Sequence, residues 1–142
     1  MSALPVSETI TTNYDCMPET AAEVGEPLGL LPFQHVGYNE RWILKMHGCM
    51  KHKDSIVLTR QDYIRHNSSR AALTGIVQAL LLTCKMVFLG FSLADDNFHR
   101  VIDSIRKSRG SRVGYRETFG VQICLMSSKL QRRLCEEYLD II

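Results

Sequence analysis

The run "AALTGIVQALLLTCKMVFLGFSLA", residues 71 to 94, constrains the fold more than any other part of the chain, because its only charge is Lys85. A membrane-spanning helix needs about 20 apolar residues, so length alone would permit one. The composition changes partway along. Residues 71 to 83 are rich in Ala and Leu and predict a helix, whereas "MVFLGFS" is β-branched and aromatic and predicts a buried strand ending at Gly90. A helix followed by a strand buried on both faces is the pattern of a parallel α/β sheet, not of a membrane span.

The rest of the chain is compatible with that reading. Its 142 residues suffice for one compact domain, and 45% apolar with 23% charged residues is ordinary for a folded protein. A net charge of +2 does not point to nucleic acid, and the cluster Arg106, Lys107, Arg109, Arg112 reads as a solvated helix end. The five cysteines (Cys16, Cys49, Cys84, Cys124, Cys135) contain no CxxC pair and fit neither a zinc ribbon nor a disulfide framework. Reduced thiols in a cytoplasmic protein are the expectation, and "MSALPVSETI" has no secretory character.

Along the chain, "ETITTNYD" (8 to 15) predicts a short strand. Residues 18 to 40 hold three of the four prolines and predict a long irregular connection. "RWILKMHG" (41 to 48) and "SIVLTR" (55 to 60) predict two more strands around a polar turn, followed by helices over about 61 to 66 and 70 to 83. After the strand at 85 to 91, Asp95 or Asp96 is a natural helix cap, and Phe98, Val101, Ile102 and Ile105 form one apolar stripe closed by Gly110. "FGVQICLM" (119 to 126) predicts another strand, "KLQRRLCEEYL" a last helix, and "LDII" the start of a further strand. Alternating strands and helices predict a Rossmann-like, doubly wound parallel sheet.

In such sheets ligands sit beyond the carboxyl ends of the strands. The polar residues trailing the predicted strands are Thr12, Asn13 and Asp15, then His47, then Ser92 and Asp95. Each set has a plain reading: an Asx turn for "TTNYD", a structural strand-end histidine for "HG", and a capped strand-to-helix turn for "GFSLADDNF". His47, Cys49 and His52 form H-x-C-x-x-H, which can supply only part of a metal site, and no partner motif completes it, so no metal is expected. Gly90 permits close backbone approach, and the residues after it suit phosphate or ribose oxygens.

Taken in order, "ITTNYD", "ILKMHG", "SIVLTRQDY" and "VFLGFSLADDNF" resemble the sirtuin-like family, in particular its bacterial NAD-hydrolase and defence branch. The resemblance runs from about residue 9 to 105. It implies that this chain processes NAD as substrate, with His47 as general base and Asn13 holding the ribose or orienting the attacking water. Thr12, Asn13, Asp15, Gly90, Ser92 and Asp95 would line the cofactor. Such roles suit a reaction that builds positive charge on the ribose as nicotinamide leaves.

Two features depart from the family. No glycine-rich G-A-G-type loop precedes "TTNYD", and the zinc-holding cysteine pairs of deacylating sirtuins are missing, which disfavours protein deacylation. The expectation is a partial sirtuin-like domain over 1 to 142, lacking the first βα unit. It would be a fragment, a truncated gene product or one module of a larger protein, with self-association as one consequence. The alternative is a non-catalytic nucleotide-binding or assembly module.

Overall fold

The computed structural model describes residues 6–22, 27–38, 40–59, 61–62, 70–91, 96–109, 118–124, 133 and 139–142. These fall into two compact units, Met1–Thr74 and Gly75–Ile142. In the first unit β1 (Glu8–Thr11), α1 (Met17–Ala22), β2 (Leu28–Leu31) and β3 (Arg41–Lys45) build a three-stranded sheet of order β1-β3-β2. Both pairings are parallel, with Thr11 opposite Lys45 and Leu31 opposite Leu44. Ile43 and Leu44 are fully buried at its centre, so the middle strand is the apolar one.

Two expectations fail in this unit. Residues 18 to 40 are not an irregular connection, because they contain α1 and β2. Pro18 falls in the first turn of α1, where a missing N–H costs nothing, while Pro27 and Pro32 flank β2 from outside. Conversely, the described residues of "SIVLTR", 55 to 59, form no strand. Lys53–Ser55 form a single 3-10 turn, and the extended residues after it join no sheet. Thr59 and Asp62 then make a reciprocal cap, Thr59 N–H to Asp62 Oδ2 at 2.9 Å and Asp62 N–H to Thr59 Oγ1 at 3.1 Å. This capping box starts the predicted helix at 61; its residues 61 and 62 are helical, and 63 to 69 lie outside the described residues.

Lys45 carries the largest electrostatic liability of the unit. Its side chain is completely buried at the end of β3, yet Nζ lies 2.9 Å from Glu19 Oε1 on α1 and donates to the Asp15 carbonyl. An ammonium in this position needs both partners, because an unpaired buried charge is far more costly than a paired one.

The second unit begins within α2 (Ala71–Thr83) and continues through β4 (Met86–Leu89), α3 (Asp96–Arg109), β5 (Gly120–Ile123) and β6 (Leu139–Ile141). Its sheet has the order β4-β5-β6, all parallel. The apolar run therefore divides into helix and strand as its composition predicts, but the strand is not buried on both faces: Phe88 is buried while Val87 and Leu89 are exposed. No described helix is long and apolar enough to cross a membrane. The stripe on α3 is also realised. Val101, Ile102 and Ile105 are buried, and Phe98 sits edge-on to Phe88 and Phe91 at centroid distances of 5.5 and 5.1 Å.

The basic end of α3 is partly structural. Arg109 donates to the Leu82 carbonyl at 3.3 Å and lies over the Phe119 ring, while Lys107 makes an exposed pair with Asp103. Arg112, Gly110, Asp95 and nearly all of "KLQRRLCEEYL" lie outside the described residues. The strand expected at "LDII" is β6.

Two glycines test the backbone argument. Gly48 has φ +100, and a Cβ there would overlap the Ser55 carbonyl and come within 2.8 Å of Ile56 Cα. Gly90 has φ +60, but a Cβ there would meet nothing within 4 Å. Urea unfolding should therefore show Gly48→Ala losing about 3 kcal/mol or more, the upper range for enforced backbone strain. Gly90→Ala should lose only about 1 kcal/mol, the cost of a left-handed residue in open space. The Lys45 pair gives a second expectation. Glu19→Gln should destabilise by about 3–5 kcal/mol, whereas the double change Lys45→Met with Glu19→Leu should cost much less. Equal losses would show that the ammonium is not what Glu19 serves.

Candidate functional site

The site residues of the first unit are set by the parallel register. With Thr11 opposite Lys45, the chain leaves β1 and β3 side by side at their carboxyl ends. The two exits then stay together, since Met46 N–H donates to the Thr11 carbonyl at 3.0 Å and Met50 N–H to the Tyr14 carbonyl at 2.9 Å. Asn13 and His47, each two residues past its strand, consequently lie on one rim.

His47 is buried, only 6% exposed, with the Tyr14 ring 6.5 Å away centroid to centroid. Its backbone is held from three directions. Val57 N–H donates to the His47 carbonyl at 3.0 Å, and the Tyr14 hydroxyl donates to the Val57 carbonyl at 2.6 Å. Arg70 then reaches in from the residue before α2, donating through Nη1 to the Met46 carbonyl at 2.6 Å and through Nη2 to the Ser55 carbonyl. Burial pulls the Arg70 pKa below the ordinary arginine value, yet a guanidinium remains a cation at neutral pH. Two residues either side of the turn at Gly48 are thus clamped by one planar fork.

The other predicted residues divide. Asn13 is exposed, and its backbone N–H bonds to Thr11 Oγ1 at 3.1 Å; Thr12 beside it is half-buried. Asp15 Oδ1 accepts from Met17 N–H at 3.0 Å, an Asx turn that satisfies the first amide of α1. Gly90 belongs to the second unit and ends β4, as expected. Ser92 and Asp95 lie outside the described residues. Beside Gly90, buried Gln122 on β5 donates from Nε2 to the Phe91 carbonyl at 2.7 Å and holds the turn, while its Oε1 has no donor among the described residues.

H-x-C-x-x-H does not assemble as written. His52 stacks on Phe33 at 3.9 Å, and the grouping of potential ligand atoms among the described residues is instead Cys16, Glu19 and Cys49.

Sequence reasoning missed Tyr14, Glu19, Lys45, Arg70 and Gln122. Tyr14 lies inside the quoted "TTNYD" and Lys45 inside "ILKMHG", so both were in view as positions without a role. Arg70 carries no local signal, since its partners are backbone carbonyls 15 and 24 residues earlier.

The model of the SIR2-like domain matches residues 7–139. Defense-associated sirtuin 2 of Bacillus subtilis is 26% identical over 112 residues, covering 74% of this chain and 11% of that protein. The NAD(+) hydrolase ThsA of Enterococcus faecium is 30% identical over 113 residues, covering 75% of this chain and 24% of that protein. The NAD(+) hydrolase ThsA of Acinetobacter baumannii (strain 532279) is 27% identical over 112 residues, covering 75% and 23%. The match thus spans a quarter or less of these relatives. A parallel α/β architecture, a histidine and an asparagine at adjoining strand ends, and a family match across nearly the whole chain lead to one conclusion: this chain belongs to the SIR2-like family.

Proposed function

We propose that this domain binds NAD and, in a protein that also carries a glycine-rich phosphate loop, cleaves it to nicotinamide and ADP-ribose or a cyclic form. The observation that carries the reading is the shared rim of Asn13 and His47 at the carboxyl ends of β1 and β3. Relatives named as NAD(+) hydrolases support it, and a defence-associated relative supports a role in defence.

In this reading His47 is the general base. Its backbone clamp keeps the imidazole from drifting as charge builds on the ribose, and its burial excludes bulk water. Asn13 offers an exposed amide to the ribose hydroxyls or to the attacking water. Thr12, Gly90, Ser92 and Asp95 remain the proposed cofactor contacts. Asp15 acts through its Asx turn at the start of α1, ordering the segment that carries Asn13.

A non-catalytic assembly role is favoured by one observation. Val87 and Leu89 on β4 and Ile123 on β5 alternate onto one face, and they are 58%, 46% and 50% exposed. A parallel sheet ordinarily covers such a face, so a second copy or another domain is its proposed partner.

Nicotinamide release tests the catalytic reading. In a protein that includes the phosphate loop, His47→Ala and Asn13→Ala should each lower NAD cleavage by about 10²- to 10⁴-fold with an unchanged circular dichroism spectrum. Unaltered turnover in both would overturn the assignment. The 142-residue chain by itself should bind NAD weakly in calorimetry and self-associate in light scattering. Micromolar affinity in a monodisperse monomer would show that other residues take the place of that loop.

A further inference from the structure

The two segments that leave β1 and β3 share a feature unrelated to the NAD reading. Cys16 Sγ lies 3.6 Å from Cys49 Sγ, across 33 residues of sequence, between backbones already joined by the Met50 to Tyr14 hydrogen bond. Cys49 is fully buried and Cys16 half-buried, and neither is in a disulfide. Glu19 completes a trio of potential ligand atoms within 4.8 Å.

A metal does not suit this trio. The Lys45 ammonium is bonded to the Glu19 carboxylate at 2.9 Å, so an incoming cation would meet a fixed positive charge and have to displace it. The Cys16 thiol is also not held as a thiolate. Burial, the Cys49 thiol and the Glu19 carboxylate push the Cys16 thiol up, against the downward pull of Lys45. What remains is a pair of free cysteines with their sulfurs in near contact. Closing them to a bond of about 2.05 Å needs only a small shift of two side chains.

We propose that Cys16 and Cys49 are an oxidisable dithiol, which hydrogen peroxide converts to a disulfide that staples the Asn13 segment to the His47 segment. Cys16, the more accessible, loses its proton and attacks the peroxide oxygen. An S–O bond forms, the O–O bond breaks, and the departing hydroxide leaves as water with that proton. The sulfur is oxidised by two electrons and the peroxide reduced. Cys49 then attacks the sulfenic sulfur, forming S–S as S–O breaks, and its proton leaves with the second water. The disulfide closes the loop running from the end of β1 past β3, which restricts the unfolded chain and fixes both rim segments.

The test is hydrogen peroxide treatment of the 142-residue chain, then alkylation with N-ethylmaleimide under denaturing conditions and tryptic mass mapping without reductant. The expected product joins the Cys16 peptide to the Cys49 peptide, two hydrogens lighter than the sum. A higher melting temperature, reversed by dithiothreitol, should accompany it. Cys49→Ser should stop the reaction at a Cys16 sulfenic acid that dimedone traps. Because Cys49 is buried and its variant can misfold, Cys16→Ser provides the second arm, with the link and the melting shift both lost. The proposal is overturned if Cys16 and Cys49 stay alkylatable while exposed Cys84 is oxidised, or if the links are scrambled or only between molecules. It is also overturned if the reduced chain retains stoichiometric zinc in native mass spectrometry and Cys16→Ser releases it.

Discussion

The first unit depends on one buried charge. The Lys45 ammonium sits at the end of the central strand with no access to water, so the fold around it must supply negative partners. Glu19 supplies a carboxylate and Asp15 a carbonyl, and both lie on the chain between β1 and β2. Satisfying this charge therefore draws α1 onto the end of the sheet and sets the path of residues 12 to 16. That path carries Asn13 and brings Cys16 against Cys49. The liability of one lysine becomes the device that orders a rim.

Around His47 the structure places almost all its specificity in backbone hydrogen bonds. Arg70, Val57 and Ser55 hold carbonyls and amides on either side of Gly48, and the glycine lets the Ser55 backbone approach where a Cβ would collide. A side chain positioned this way inherits the rigidity of its peptide planes, which suits a group that must remain in place while a neighbouring bond breaks. Residues 55 to 58 do not pair as a strand, and their free backbone groups are what serve the turn.

The second unit is organised by apolar contact instead. The Phe88, Phe91 and Phe98 rings interlock at the start of α3, and Gln122 fastens the Phe91 carbonyl from the neighbouring strand. Gly120 is required for a different reason from Gly48: a Cβ there would fall within 2.9 Å of the Met86 amide nitrogen across the sheet. Phe91, directly after Gly90, is thus held by groups remote in sequence, while the space next to Gly90 itself stays open.

Features that depend on local periodicity and composition could be read directly from the amino-acid order. The break between helix and strand near Lys85, the stripe from Phe98 to Ile105, the strands beginning near 8, 41 and 120, and the strand-end positions of Asn13 and His47 were all legible. Each is written within a few consecutive residues, by apolar spacing or by a change of side-chain shape. Only the tertiary structure decided the rest. Residues 18 to 40 looked irregular because prolines and glycines dominate them, yet Pro18, Pro27 and Pro32 occupy positions that helices and strand flanks tolerate. "SIVLTR" has strand composition, but its described residues find no strand with which to pair among the described residues. The clamp of Arg70, the partners of Lys45 and the meeting of Cys16 with Cys49 join residues 15 to 33 positions apart. Such contacts leave no periodic trace, because they are set by the register of β1 on β3, and pairing between distant segments is decided only when the chain closes.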